Sequence, residues 1–506
     1  MNLKPQIKNV IVEIISLLYV LLFIYAATSK LLDYQHFKIE LGQSPLLSAF
    51  AQWIAILIPA VEYLTCLLIL ISRCRLVGLF SAYGLMVMFT VYIFIILNYT
   101  SFVPCSCGGV LEKLDWRSHM IFNLFFVFLG LMAIILYMNS YKGNDHPIRR
   151  RKVVIIFCLV TVSSIAIVSV LFILSENIMH YHNKLTRRFP QTPIQQEAVF
   201  DLKLNSYYIA GVDSSHIYLG NSTAPLLMTV LNTRLLKTEE RQIDLNRKDL
   251  PFRGVRISVH SPYFFVSDGT VPCVFKGRIK HWKAELVHQG GQYFSTALAV
   301  DSVSTAIVAS IAETGDNVLG INQAGKTGKT LLNNKILIKQ TDGVFDTDGF
   351  LLYSAGMDRI VYLYAYRNQY TITDRNLIMT GRGTTIDTIT HAKLNISRDK
   401  KHGVRQFSSP PLFVNKGSAI YNNILFVNSA IPGRYESDRI WKEASIIDVY
   451  DITDNSYLLS FCIYNLDGKR MKSFVVEKDN LYVLIGTHII RYKIDSKITA
   501  KYDQKK

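Results

Sequence analysis

The chain has 506 residues, of which 50% are hydrophobic and only 18% are charged, and its formal net charge is +17. This hydrophobic composition argues against a purely cytosolic enzyme. The positive charge does not indicate nucleic-acid binding, because the Lys and Arg residues of the second half are scattered among carboxylates and form no stripe.

Charge density divides the chain near residue 175. Residues 1–175 hold 13 Lys and Arg and 7 Asp and Glu, and the density of charged residues roughly doubles after them. This first part contains five apolar segments, each long enough to cross a hydrocarbon core of about 30 Å as a helix. They lie at about 10–29, 47–72, 76–98, 120–138 and 153–175. We therefore expect a helical membrane region followed by a water-soluble region.

Basic residues predict how these helices are oriented. They occur in three groups. Lys4 and Lys8 precede the first segment, Arg73 and Arg75 lie between the second and third, and the run at 149–152 precedes the fifth. Short cytoplasmic loops are enriched in Lys and Arg, so all three groups are expected in the cytoplasm. The N-terminus is then cytoplasmic, and the odd number of spans leaves the C-terminal region outside. In a bacterium the chain would lie in the inner membrane, with this region in the periplasm.

Two of the seven cysteines, Cys105 and Cys107, are separated by one residue in the outer loop before the fourth segment. A disulfide between them closes a very small ring, which departs from preferred disulfide geometry, and strained disulfides are labile. The pair therefore suits thiol–disulfide exchange. A structural clip in the loop or two free thiols are the alternatives. A metal site is disfavoured, because two thiolates and His119 fall short of the usual four ligands.

Residues near the pair support this interpretation. Gly108 and Gly109 permit the tight backbone that such a ring requires. Arg117 and His119 provide positive charge or hydrogen bonds that favour a thiolate.

Glu62 lies near the middle of the second apolar segment, where an ionisable group is costly and by default a functional candidate. One interpretation is a proton relay or a polar contact for a quinone-like acceptor beneath the cysteine loop. The other is a buried hydrogen bond between helices. The sequence leaves both open.

The four-span block at about 10–138 resembles the MauE/DoxX-like family of redox-associated membrane proteins. The matching segments are 26–33 (AATSKLLD), 59–62 (PAVE), 105–109 (CSCGG) and Asn123. The resemblance implies a four-helix bundle that takes part in thiol–disulfide traffic while a partner protein matures outside the cytoplasm. It also implies that Cys105 and Cys107 are catalytic and that Lys30, Glu62 and Asn123 support them. Gly109 stands where family members often have an aromatic residue, and the fifth span and the large outer domain are additional.

The second half of the chain shows the alternation of β-strands and the turn residues of hairpins. Seven hairpins are expected, at 208–221, 262–276, 297–311, 351–366, 418–428, 446–464 and 473–492. One hairpin every 40 to 50 residues is typical of four-stranded propeller blades. We predict a β-propeller of six or seven blades, with a pair of β-sandwiches as the alternative.

The predicted domain organisation has five parts. They are a four-helix membrane domain at 1–140, a basic cytoplasmic loop with the fifth span at 141–177, a linker at 178–195, a periplasmic propeller-like domain at 196–496 and a polar tail at 497–506. In the propeller-like domain we expect Cys273 and Cys462 to be free thiols rather than a disulfide.

Two further motifs are interpreted as turns and loops. Residues 320–327 (GINQAGKT) satisfy the phosphate-binding pattern GxxxxGK[ST], but Gly328 and the surrounding alternation do not fit the strand and helix that this loop requires. Nucleotide binding is therefore not expected. Asp342, Asp346 and Asp348 do not have the spacing of a calcium loop, and Asp-Gly pairs are typical of turns.

Two functions follow. In the first, the chain is a thiol–disulfide redox component that uses Cys105 and Cys107, exchanges electrons with a thioredoxin-like protein or a secreted client, and passes them to a membrane acceptor such as a quinone. The propeller then docks the client. In the second, the chain is a membrane-anchored binding or scaffold protein whose helix bundle is not catalytic.

Overall fold

A computed structural model describes residues 5–44, 46–99, 115–140, 147–182, 185–323, 330–398 and 405–502. The chain forms two units. The first comprises Met1–Gln191 and Arg434–Glu436, and the second comprises Thr192–Gly433 and Ser437–Lys506. Helices make up the first unit, and strands make up most of the second.

The helices of the first unit include five that are long and apolar enough to cross a membrane in the described part of the chain. The bounds are α1 (Pro5–Leu32), α2 (Tyr34–Gln43), α3 (Ala51–Leu70), α4 (Arg75–Tyr99), α5 (Trp116–Ser140) and α6 (Pro147–Tyr181), with a 3-10 helix at Ser48–Phe50. The five are α1, α3, α4, α5 and α6, so the predicted spans are confirmed and the chain is a multi-pass membrane protein. Helix α2 lies in the segment predicted to be an outer loop.

Helices α1, α3, α4 and α5 pack around a common apolar core. Tyr19 on α1 is fully buried, and its hydroxyl donates a hydrogen bond to the carbonyl oxygen of Phe126 on α5. A Cβ on Gly130 would lie 2.6 Å from that hydroxyl oxygen. Glycine at this position therefore lets the two helices approach closely, as small residues do between membrane helices.

Helix α6 packs against α4 and is more than a tether. The hydroxyl groups of Tyr83 and Thr161 lie 3.1 Å apart, and the rings of Tyr83 and Phe157 are 4.8 Å apart. Beyond the helix, Arg188 is buried and its guanidinium donates to Glu176 at 2.7 Å. The first unit thus holds the beginning of the predicted linker through a charged hydrogen bond.

The strands of the second unit are short and regularly spaced. The first fourteen are β1 (Ile194–Asp201), β2 (Tyr207–Val212), β3 (His216–Asn221), β4 (Leu227–Asn232), β5 (Thr238–Gln242), β6 (Asp244–Leu245), β7 (Arg256–His260), β8 (Tyr263–Asp268), β9 (Cys273–Arg278), β10 (Lys283–Gln289), β11 (Phe294–Ala299), β12 (Ser304–Ser310), β13 (Asn317–Gln323) and β14 (Thr330–Asn333). The others are β15 (Gly349–Ser354), β16 (Arg359–Tyr364), β17 (Gln369–Thr373), β18 (Met379–Thr384), β19 (Ile396–Arg398), β20 (Arg405–Phe407), β21 (Asn415–Tyr421), β22 (Ile424–Ser429), β23 (Ala444–Asp451), β24 (Ser456–Tyr464), β25 (Met471–Glu477), β26 (Asn480–Ile485) and β27 (His488–Ile494). Short helices α7 (Asp438–Glu443) and α8 (Ser496–Thr499) complete the unit.

Six sheets of four or five strands, counted over the described residues, form the blades of a β-propeller. Their inner strands are β2, β7, β11, β15, β21 and β25, and each contacts the inner strands of the two neighbouring blades, so the ring is closed. In the last blade the outer strand is β1, which pairs antiparallel with β27. The first strand of the unit therefore joins its last three strands and closes the ring.

The predicted fold class, five spans followed by a propeller, is confirmed. Each of the seven expected hairpins is present as an antiparallel strand pair. Central blade strands such as β22 are buried at every position, because blades pack on both of their faces. This burial explains why some strands are continuously apolar instead of alternating.

The two remaining sequence motifs lie in ordinary β-structure. Gly320 is inside β13, which pairs antiparallel with β12 and β14, and residues 324–329 lie outside the described residues. The Asp342 carboxylate accepts hydrogen bonds from the amides of Phe345 and Asp346, at 3.1 and 3.2 Å. The carboxylate of Asp346 accepts from the amide of Gly343 at 2.6 Å. These aspartates stabilise turns, and within the described residues no cluster suited to a metal ion is found.

Candidate functional site

A cavity of about 340 Å³ lies among the helices of the first unit. Helices α1 to α6 all contribute to its wall, which consists mainly of Leu, Ile, Val, Met and Phe side chains. The polar and amphipathic residues in the wall are Lys30, Glu62, Tyr92, Trp116, His119 and Asn123. An apolar pocket with a few convergent polar groups is the usual form of a small-molecule site.

Lys30 and Glu62 form an ion pair in this wall. Lys30 is in the last turn of α1 and Glu62 is in the middle of α3, and these two helices pack together. The Lys30 ammonium donates a hydrogen bond to Oε1 of Glu62. The Glu62 side chain is fully buried, whereas 16% of the Lys30 side chain is exposed. The hydrogen bond between helices that one interpretation of Glu62 expected is therefore present, with a charged partner. The contact with a quinone-like acceptor stays a prediction.

The second carboxylate oxygen of Glu62, Oε2, is buried without a hydrogen-bond partner among the described residues. An unpaired buried oxygen on a charged group carries the full penalty of its lost hydration. Because Glu62 also lines the cavity, a hydroxyl or protonated oxygen of a bound molecule would satisfy it. This oxygen is an unpaired polar atom in a wall that is otherwise mainly apolar.

Aromatic side chains hold the ammonium of Lys30 from the other side. Its Nζ lies 5.9 Å from the ring centroid of Phe37 on α2 and 5.6 Å from that of Phe89 on α4. Cation–π contacts at such distances are attractive, more so where water is excluded. The pair is thus fixed by three membrane helices and by α2.

His119 and Asn123 lie one turn apart on the same face of α5 and both line the cavity. The ring of His119 stacks on that of Trp116, with centroids 6.4 Å apart. Asn123 is 3% exposed. The structure therefore brings four of the predicted supporting residues, Lys30, Glu62, His119 and Asn123, into one wall.

The other predicted residues are placed differently. Arg117 is on α5 but is exposed and does not line the cavity. Cys105, Cys107, Gly108 and Gly109 lie outside the described residues, so their predicted roles stay predictions.

Sequence reasoning missed the aromatic part of the site. Phe37 and Trp116 lie outside the five predicted spans, and Phe89 was not distinguished from the other apolar residues of its span. A signal was present for α2, because Phe37 and Leu41 are spaced as on one helix face and both are buried. The contact of Phe37 and Phe89 with a lysine from another helix had no local signal.

The fold and the site define a multi-pass membrane protein that joins a helical unit, with a charged pair inside an apolar cavity, to a β-propeller. Residues 8–137 match the sequence profile of the family described as methylamine utilisation protein MauE. The resemblance of the N-terminal helical region to that family is thereby confirmed.

Solved structures resemble the propeller at low sequence identity. A member of the DUF4221 family from Bacteroides vulgatus is 12% identical, with a TM-score of 0.38, over 60% of this chain and 99% of that one. A catalytically inactive variant of virginiamycin B lyase from Staphylococcus aureus, solved with quinupristin, is 9% identical, with a TM-score of 0.36, over 60% of this chain and 99% of that one. No curated protein matches the chain in sequence.

Proposed function

We propose that the chain is a thiol–disulfide redox component of the bacterial inner membrane. Cys105 and Cys107 are its reactive pair, the cavity of the first unit binds a membrane quinone, and the propeller docks a periplasmic client or a thioredoxin-like partner. The observation that carries the proposal is the buried Lys30–Glu62 pair in an apolar membrane cavity, with one carboxylate oxygen unpaired.

The cavity suits a quinone for two reasons. Its apolar wall fits an isoprenoid or ring body, and the Lys30 ammonium supplies a hydrogen-bond donor for a carbonyl oxygen. Glu62 is a proton acceptor beside that donor, and His119 and Asn123 offer further polar groups from α5. A quinone at this position would accept two electrons and two protons.

The chemistry balances without a further reactant. Oxidation of the Cys105 and Cys107 thiols to a disulfide releases two electrons and two protons, which is the amount that reduction of one quinone to a quinol consumes. Trp116, in the cavity wall, is nine positions after Cys107 in the sequence. A chain of nine residues reaches about 30 Å when extended, so its length does not prevent an approach of the pair to the cavity.

The orientation belongs to the same proposal. With the basic groups in the cytoplasm, the loop that carries Cys105 and Cys107 and the propeller face the periplasm, where disulfides form and persist. The basic run at 149–152 then opens α6 on the cytoplasmic side.

The redox state of Cys105 and Cys107 in cells tests the proposal. The chain used has its other five cysteines replaced by Ala. Cells are quenched with acid, and the thiols are labelled with a mass tag. A membrane-impermeant reagent reports on which side of the membrane the pair lies. We expect an outward-facing pair that is partly oxidised and readily reduced. A pair that stays wholly reduced, or wholly oxidised and resistant to a mild dithiol, contradicts the proposal and leaves the anchored binding protein.

The Glu62→Gln variant tests the role of the cavity independently of the cysteine loop. If electrons leave the pair through the cavity, this variant shifts the pair toward the reduced state. Glu13→Gln is the matched control, because Glu13 is exposed on α1 and does not line the cavity. An identical redox state in both variants would remove the cavity from the pathway.

A further inference from the structure

The six inner strands of the propeller place basic residues at one end of its central channel. Each inner strand comes first in its blade after the outer strand of the preceding blade, so the inner strands run in the same direction around the channel. Arg256 is the first residue of β7, Lys416 and Lys472 are the second residues of β21 and β25, and Arg470 immediately precedes β25. We call these four residues the basic rim.

The basic rim follows part of the channel mouth. Its cations belong to the blades with inner strands β7, β25 and β21; β25 and β21 are neighbours in the ring, and β2 lies between β7 and β25. Tyr208 on β2 lies between Arg256 and Lys472, and the guanidinium carbon of Arg256 is 4.6 Å from the Tyr208 ring centroid. The cations therefore occupy rigid strand ends on one arc.

Contacts to the basic rim are with neutral groups. The Lys472 ammonium donates to the carbonyl oxygens of Asn205 and Tyr207, at 3.0 and 2.8 Å. Arg470 donates to the carbonyl oxygen of Trp441 at 2.9 Å. Among the ion pairs of the described residues, none includes a member of the basic rim. Its four positive charges therefore have no ion-pair partner in the described part of the chain.

The charges of the rim act on one another. Partial burial, reinforced by the charge of Arg470, lowers the pKa of Lys416. Partial burial and the charge of Arg256 likewise lower the pKa of Lys472. Such like-charge arrangements are unfavourable unless an anion occupies them.

The opposite end of the channel carries carboxylates beside a lysine. Glu477 ends β25, and Asp213 directly follows β2. Burial and the charge of Asp213 raise the pKa of Glu477, against the opposing charge of Lys478.

We propose that the basic rim binds a multiply charged oxyanion of the phosphate class. Two guanidinium groups and two ammonium groups on three blades match several oxygens that share two or more negative charges. Arginine also bonds phosphate oxygens in a bidentate manner. A single carboxylate would neutralise only one of the four cations. The phosphate belongs either to a soluble ion or to a lipid headgroup.

Calorimetric titration of the full chain with pyrophosphate tests this proposal. The protein is placed in phosphatidylcholine nanodiscs, and we expect saturable binding that weakens with salt. Lys416→Met and Lys472→Met should each weaken binding about tenfold, the effect of one lost charged hydrogen bond. Lys237→Met is the matched control, because it removes the same charge from the exposed start of an outer strand and should leave binding unchanged.

Three outcomes decide the test. Absence of saturable binding, or equal weakening by all three variants, overturns the proposal. Citrate binding more tightly than pyrophosphate overturns the phosphate class. If phosphatidylglycerol in the discs weakens pyrophosphate binding by the parent chain but not by the two rim variants, the source of the phosphate is a lipid headgroup. If phosphatidylglycerol leaves binding by the parent chain unchanged, the source is a soluble ion. Thermal unfolding of each variant verifies that it is folded.

Discussion

Both units bury apolar side chains, but they differ in which side chains they expose. In the membrane unit, Trp53 and Phe128 are 75% and 61% exposed while the charged Lys30–Glu62 pair is inside. In the propeller, Phe264 and Phe275 are fully buried, and pairs such as Arg247 with Asp249 lie on the surface. An exposed apolar residue is costly in water but not in lipid. The kind of residue that points to a functional site therefore differs between the units. In the membrane unit it is a charged residue that lies inside the helix bundle. In the propeller it is a charged residue at a strand end that has no ion-pair partner among the described residues.

The largest effect is expected from replacing a phenylalanine by alanine, a change that can be made in both units and compared. Phe264→Ala removes a buried ring that packs 5.0 Å from Trp282, and we expect a loss of about 3–5 kcal/mol in the stability of the propeller. Phe128→Ala removes a lipid-facing ring of α5 and should change stability by less than about 1 kcal/mol. Differential scanning calorimetry of the full chain in detergent measures both. Equal shifts of the two unfolding transitions would mean that Phe128 packs against protein.

Replacing a lysine in each unit tests how the two units differ in their dependence on a charged side chain. Lys30→Met leaves Glu62 buried and unpaired, and we expect a loss of about 3 kcal/mol in the membrane unit. Adding Glu62→Gln should recover much of this loss, since no buried charge then remains. The loss of helical circular dichroism on heating reports this unit, because the long helices of the described residues all belong to it.

Lys416→Met is the matched control in the propeller. It removes one of several like charges, so stability should stay within about 0.5 kcal/mol or rise slightly. If the same substitution were equally harmful at both positions, the distinction between a paired buried lysine and an uncompensated lysine would be wrong.

The smallest effect depends on pH. Asp268 is buried and its carboxylate accepts hydrogen bonds from the amides of Arg253 and Gly254 and from Thr270. Burial by itself raises the pKa of this carboxyl, but the hydrogen bonds together outweigh it and the pKa lies below its usual value. The stabilisation is therefore present above the unfolded pKa of about 3.9 and is lost as the pH falls through the folded value.

Asp268→Asn should accordingly lower the stability of the propeller by about 1–3 kcal/mol at pH 7, and the difference from the parent chain should shrink below about pH 4. Tryptophan fluorescence during denaturant unfolding at several pH values measures this difference. Asp454→Asn, in an exposed turn, should show little change at any pH. A difference for Asp268→Asn that does not vary with pH would show that the side-chain shape, not its charge, is what the turn requires.

Local features of the sequence determined much of this protein. Apolar length gave the five spans, and the turn residues at 213–215 and 301–302 gave correct hairpins, because membrane solvation and β-turns depend on neighbouring residues. Four residues of the cavity wall, Lys30, Glu62, His119 and Asn123, had also been singled out, from an ionisable residue at membrane depth, from residues near the cysteines and from the family resemblance.

Only the tertiary structure decided which distant residues meet. The pairing of β1 with β27 closes the propeller through residues at opposite ends of the unit, and the Lys30–Glu62 pair joins residues 32 positions apart on different helices. The basic rim likewise requires the order of the blades around the channel. Hydropathy and turn propensity act over a few residues, whereas these contacts arise from helix packing and ring closure, for which the chain has no local signal.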